Sequence, residues 1–101
     1  MSGFVLTNKA LQDLKEIGRY TEQTWGLEQR NRYLLLIDQC IRDLVAAPLK
    51  GSDCNAIRSG YRKHQIGRHV VFYRVLASDH IEIVRVLHER MDVARHFDGC
   101  Q

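Results

Sequence analysis

The sequence predicts an α+β domain in which a helical hairpin covers one face of an antiparallel sheet. Apolar residues recur at three- and four-residue spacing up to Val45, and the period then shifts towards two after Pro48. β-branched and aromatic residues dominate from Tyr61 to Leu87. A chain of 101 residues, 45% of them apolar, buries one modest core, so residues 1–101 are read as a single domain.

Each element has its own signal. Phe4, Val5 and Leu6 suit a short strand, and Thr7 is a good N-cap for the helix that follows. Its inward positions are Ala10, Leu11, Leu14, Ile17, Thr21 and Trp25, and Gly26 ends it. A second helix begins near Leu27 and Glu28 and carries Tyr33, Leu34, Ile37, Cys40, Ile41, Leu44 and Val45 inward until Pro48 stops it. The residues from Trp25 to Leu27 allow only a reversal, so the two helices are antiparallel. Leu49 to Asn55 reads as a loop. Strands follow at Tyr61–Ile66, Arg68–Leu76 and Ile81–Leu87, joined by turns at Gly67 and at Ala77–His80, with Ala56–Ser59 the candidates for a strand extension. Strand, hairpin of helices and three-stranded meander complete the α+β layer.

Charge is unevenly spread. Residues 1–53 hold seven acids and seven Lys or Arg, and residues 79–101 hold five acids and three Arg. Between Cys54 and Ser78 there is no carboxylate, while Arg58, Arg62, Lys63, Arg68 and Arg74 are cationic, so the net charge of +3 is concentrated there. Such a field attracts an acidic protein or a phosphate backbone. No long uncharged apolar run and no basic-then-apolar leader is visible, which points to a cytoplasmic protein without a membrane span. The three cysteines lack metal or redox spacing; Cys40 reads as a small core residue, and Cys54 and Cys100 as loop and tail residues. No metal or cofactor is expected.

The strand at 68–76 places His69, Val71, Tyr73 and Val75 on one side and Val70, Phe72, Arg74 and Leu76 on the other. Strict alternation in the last strand sets Ile81, Ile83, Arg85 and Leu87 against Glu82, Val84, Val86 and His88. Both faces are therefore apolar, whereas two helices cover one. Either the segment Val93–Phe97 folds over the second face, or a partner bringing apolar residues and acids binds there.

The order of these elements, the opening FVLTNKALQDL, Tyr20-Thr21 ahead of Gly26, Pro48 and Gly51, then Arg58, Gly60, Arg62, His69, Phe72, Tyr73 and Arg74, and the closing VRVLHERMD at Val84–Asp92 resemble the ParE toxins of the RelE/ParE superfamily. The resemblance runs from Phe4 to about Phe97. It implies a type II toxin held inactive by a ParD-like antitoxin, whose acidic, disordered C-terminal segment wraps it, and a free toxin that poisons DNA gyrase without an enzymatic centre of its own. The candidate antitoxin-binding residues are Arg58, Arg62, Lys63, Val70, Phe72 and Arg74. Those for target binding are Arg85, His88, Arg90, Met91 and Asp92. No membrane contact and no specific nucleic-acid binding are expected.

RelE-like relatives pose an alternative, since they cleave mRNA on the ribosome with a base, an acid and cations placed on this sheet. Here Gln65 stands where an Arg is needed, and Leu87 with His88 stand where a His or Tyr pair ends the last strand. Gln65 cannot neutralise a phosphorane, and His88 alone remains as an acid or base. Plainer roles compete throughout: His64 and His69 as structural histidines, Arg74 and Arg85 as partners of nearby acids, Tyr20 and Trp25 as packing residues.

Overall fold

The computed structural model describes residues 3–54, 58–77 and 80–91. Strand β1 (Gly3–Leu6) leads into helix α1 (Asn8–Trp25), which turns directly into helix α2 (Leu27–Ala46). A 3-10 turn at Pro48–Lys50 and a two-residue strand β2 (Ser52–Asp53) precede the meander β3 (Tyr61–Ile66), β4 (His69–Ala77) and β5 (His80–His88). The five strands lie in the order β1-β5-β4-β3-β2, with β1 parallel to β5 and the other pairs antiparallel.

The helices start and stop for local reasons. Thr7 Oγ1 accepts from the Ala10 amide at 3.0 Å and donates to the Val84 carbonyl at 2.8 Å, so one hydroxyl caps α1 and ties it to β5. Gly26 has φ +96°, a conformation that side-chain-bearing residues resist, and this single residue separates the two helices. Their apolar stripes meet the sheet: Ala10, Ile17, Ile37, Ile41, Leu44 and Val45 pack with Ile66, Val71, Tyr73, Ile81, Ile83 and Val86 in one buried cluster. Each large aliphatic side chain removed from water there contributes roughly 1.5–3 kcal/mol. Cys40 packs against the same cluster, as its spacing predicts.

Several expectations are corrected. The loop at 49–55 contains the 3-10 turn and β2, because the Ser52 and Asp53 backbone finds partners opposite Lys63 and Arg62. Arg58 and Ser59 form a bend and a turn and do not extend a strand; Ala56 and Ile57 lie outside the described residues. Leu11 and Trp25 are exposed, Trp25 to 70%, as is Tyr20. The inward stripe of α1 ends at Thr21, beyond which the last turn overhangs a cleft and not the sheet.

Alternation in β5 also fails. Phe72 is opposite Arg85 and Tyr73 opposite Ile83, leaving Val84 as an extra residue in a β-bulge. Parity reverses there, so Val86 joins Ile81 and Ile83 under the helices, while Leu87 and Val84 turn to the second face. That face is apolar, as expected, but already closed. Phe72 and Leu87 are each 1% exposed and form a second buried cluster with Val84 and Cys54, edged by Tyr61 and Val70. Cys54 is thus a core residue and not a polar-loop residue. Val93–Phe97, one candidate cover for this face, lies outside the described residues.

Candidate functional site

The second face and its rim hold the cationic residues. Directly opposed residues of neighbouring strands share a face, so the pairs Tyr61 with Arg74, Lys63 with Phe72 and Gln65 with Val70 lie together, away from the helices. Lys63 and Arg74 are exposed beside half-buried Val70, and the Arg58 guanidinium stands 6.0 Å from the Tyr61 ring centre. Arg74 Nε donates to Glu82 Oε1 at 2.7 Å, an exposed cross-strand pair that leaves the arginine within reach of solvent.

Two members of the antitoxin set sit differently. Phe72 is 1% exposed, in a buried cluster with Val84, Leu87 and Cys54, so its place as a direct surface contact is corrected on access alone. Arg62 lies opposite Tyr73 on the helix-facing side and donates to the carbonyls of Leu49 and Gly51, with Arg62 Nη2 to Gly51 O at 2.7 Å. It clamps the segment before β2. The Tyr73 hydroxyl assists, donating to Pro48 O at 2.6 Å and accepting from the Gly51 amide at 3.0 Å.

Arg85 is corrected as a surface contact for the same reason. Its guanidinium grips both carboxylate oxygens of Asp13 at 2.8 and 2.9 Å, and Asp13 Oδ2 also accepts from the Val86 amide at 3.0 Å. The side chains are 13% and 11% exposed. This carboxylate receives the backbone donor that the bulge leaves past the end of β1, so the pair fastens α1 to β5.

The remaining target-binding residues lie at the end of β5. His88 is half-buried, and its Nδ1 accepts from the Arg90 amide at 3.1 Å, which leaves its Nε2 carrying the proton in the neutral ring. Arg90 and Met91 are exposed, and Asp92 lies outside the described residues. His69, opposite His88 across the strands, meets it edge to face with ring centres 5.3 Å apart.

Tyr33 of α2 completes this end of the sheet. Its hydroxyl accepts from the Arg68 amide at 3.1 Å, meets His69 Nδ1 at 2.7 Å and donates to Ile66 O at 3.2 Å, using its proton and both lone pairs when His69 Nδ1 is the donor. Burial raises the Tyr33 phenol above its usual value despite the Arg68 amide. Burial, then repulsion from His88, lowers His69 below the ordinary imidazole value, with Glu89 opposing. A cleft of about 850 Å³ opens here, lined among others by Tyr20, Trp25, Arg68 and Arg90. Its assembly escapes sequence reasoning because Tyr33 and His69 are 36 residues apart and no local spacing joins them.

Gln65 is engaged with an acid: its Nε2 donates to Glu89 Oε2 at 2.7 Å and to Gly67 O at 3.2 Å. A carboxylate therefore stands at the position where the ribonuclease reading needs a cation. Among the described residues, no group of three or more His, Cys, Asp or Glu is arranged to hold a metal ion, and no helix is long and apolar enough to cross a membrane.

Comparison with known proteins agrees with the order of elements. The family model described as the ParE toxin of the type II toxin-antitoxin system parDE matches residues 4–93. Toxin ParE1 of Mycobacterium tuberculosis is 42% identical over 95 residues, covering 94% of this chain and 97% of that protein. Toxin ParE1 of Caulobacter vibrioides is 38% identical over 96 residues, covering 95% and 98%. Toxin ParE of Escherichia coli is 34% identical over 93 residues, covering 92% and 90%. A chain in a structure titled as the chromosomal ParDE system from P. aeruginosa superposes with a TM-score of 0.73 at 21% identity, covering 87% of this chain and 96% of that one, which supports the fold. With a match that spans β1 to the end of β5 and relatives similar over nearly their whole length, the chain belongs to the ParE toxin family of type II toxin-antitoxin systems.

Proposed function

We propose that this toxin acts by binding DNA gyrase and is neutralised by a ParD-like antitoxin that wraps it with an acidic, initially disordered segment. The observation that carries the reading is the family match along residues 4–93. The chain supplies no nucleophile in this mechanism: gyrase breaks the DNA, and the toxin stabilises the broken intermediate. The pairing of Gln65 with Glu89 supports this over ribonuclease chemistry, since a carboxylate beside the phosphate opposes the charge that builds on phosphorus. His88, Arg90, Met91 and Asp92 are the proposed target-binding residues.

Lys63, Val70 and Arg74, with Arg58 beside them, form the proposed antitoxin surface. Cations at its rim steer an acidic segment and fix its register more than they add affinity. Reversing Lys63 and Arg74 to glutamate should weaken the complex at low salt and flatten its salt dependence. Supercoiling and DNA-cleavage assays with purified gyrase test the target. Inhibition with trapped double-strand breaks is expected, and their absence at toxin excess removes the proposal. Codon-dependent mRNA cuts that vanish in His88→Ala would favour the ribonuclease instead.

A further inference from the structure

The cleft at the β3–β4 turn differs from the rest of the surface in its chemistry. Its lining includes the guanidinium residues Arg68 and Arg90, the imidazoles His69 and His88, and the rings of Tyr20, Trp25 and Tyr33, but no Asp or Glu. Among the described residues, the ion pairs join Arg30, Arg32, Arg42, Arg74 and Arg85 to acids; Arg68 and Arg90 have no carboxylate partner. Glu89, next in sequence to Arg90, spends its carboxylate on Gln65 and does not line the cleft.

The aromatic side is equally unusual. Trp25 is 70% exposed and Tyr20 66% exposed, although a surface tryptophan leaves a large apolar area in water. A volume of about 850 Å³ lies within the range of small-molecule sites, and its floor is fixed by the Tyr33 bonds to Ile66, Arg68 and His69. Planar cations match phosphate oxygens two at a time, and an exposed indole offers a face to a planar base.

We propose that this cleft binds a nucleotide, with the phosphate held between Arg68, Arg90 and the Nε2 proton of His88, and the base stacked on Trp25. Neither the antitoxin surface nor the buried Arg85–Asp13 pair takes part, whereas His88 and Arg90 are shared with the proposed target-binding surface. The site is separate from the Lys63 and Arg74 rim, so occupancy and antitoxin binding can be measured independently. The nucleotide is either free or the 5′-phosphorylated end of a strand; both present the same phosphate and base.

Trp25 is the only tryptophan in the chain and reports its own stacking. Titration of the full chain with AMP should quench its emission saturably, with adenosine and inorganic phosphate each binding about tenfold more weakly or worse, because each lacks half of the recognition. Arg68→Glu and Arg90→Glu should each weaken AMP by about tenfold or more while leaving the circular dichroism spectrum and urea midpoint unchanged. Trp25→Ala, read by calorimetry, should weaken AMP but not phosphate. Tighter binding of a 5′-phosphorylated trinucleotide than of AMP assigns the site to strand ends, and the reverse assigns it to free nucleotides. No saturable quenching at millimolar AMP, affinity indifferent to both charge reversals, or an acidic peptide that binds more tightly than either nucleotide form overturns the proposal.

Discussion

Replacing Asp13 by alanine removes three hydrogen bonds at once: two from Arg85 and one from the Val86 amide. The lost carboxylate also takes the bidentate partner from a guanidinium whose side chain is only 13% exposed. Breaking a buried pair by deleting one partner costs roughly 3–5 kcal/mol, most of it from the uncompensated charge left behind. For a domain of this length each kcal/mol moves the melting temperature by about 4–8 °C, so a fall of at least about 12 °C is expected. Urea denaturation should show a lower midpoint at unchanged slope. Arg32→Ala, which breaks the solvent-exposed bridge to Glu28, is the control and should cost about 0.5 kcal/mol or less. Combining Asp13→Leu with Arg85→Met removes both charges and should recover much of the loss. A deficit for Asp13→Ala below about 1 kcal/mol, or a double variant as unstable as the sum of the singles, refutes the argument that charge desolvation governs this contact.

His69 predicts a pH dependence. Its folded-state pKa is lowered by burial and by His88, with Glu89 acting the other way, and Tyr33, Arg68 and Arg90 complete the polar surroundings. Unfolding returns the ring towards about 6.5, so the unfolded chain binds more protons, and stability should fall as pH drops from above about 6.5 through the folded value. Urea midpoints at about pH 7.5 and 5.5 should differ more in the parent protein than in His69→Gln. A β-carbon at Gly51 would collide with the Tyr73 hydroxyl and stand 2.7 Å from the Lys63 carbonyl oxygen, so Gly51→Ala should cost about 1–3 kcal/mol in the same assay. Cys54 is buried with its thiol pKa raised by that burial, and alkylation followed by peptide mass analysis should find it protected until urea unfolds the domain.

The elements were legible because their signals are local. Thr7 caps α1, Gly26 divides the hairpin and Pro48 stops α2, and each acts within a few residues of its place in the chain. Side-chain direction was legible only while the period held. The bulge at Val84 reverses parity in β5, and the backbone groups on either side of it are satisfied from 70 or more residues upstream, Val84 O by Thr7 and Val86 N by Asp13. Trp25 illustrates the opposite limit: its spacing from Thr21 is inward, but spacing carries no information about where the sheet ends. The cationic segment was visible as composition, yet composition could not separate Arg62, bound to backbone carbonyls, from Lys63, its exposed neighbour. The family resemblance was legible across the chain because it rests on ordered motifs and not on any one side chain's environment.

The parallel pairing of β1 with β5 gives the chain a dependence on its own completion. Residues 61–88 can pair as a meander from neighbouring segments, but Gly3–Leu6 finds its partner only in His80–Ile83, nearly the whole chain later. Contacts of such long sequence separation form late and slowly. A ribosome still short of those codons has therefore released the helices without the strand that anchors their entrance, and neither Thr7 nor Asp13 yet has its acceptor or donor on β5. The cap at Thr7 and the anchor at Asp13 are thus completed from the far end of the chain, and α1 gains its fixed position on the sheet only once β5 has left the ribosome.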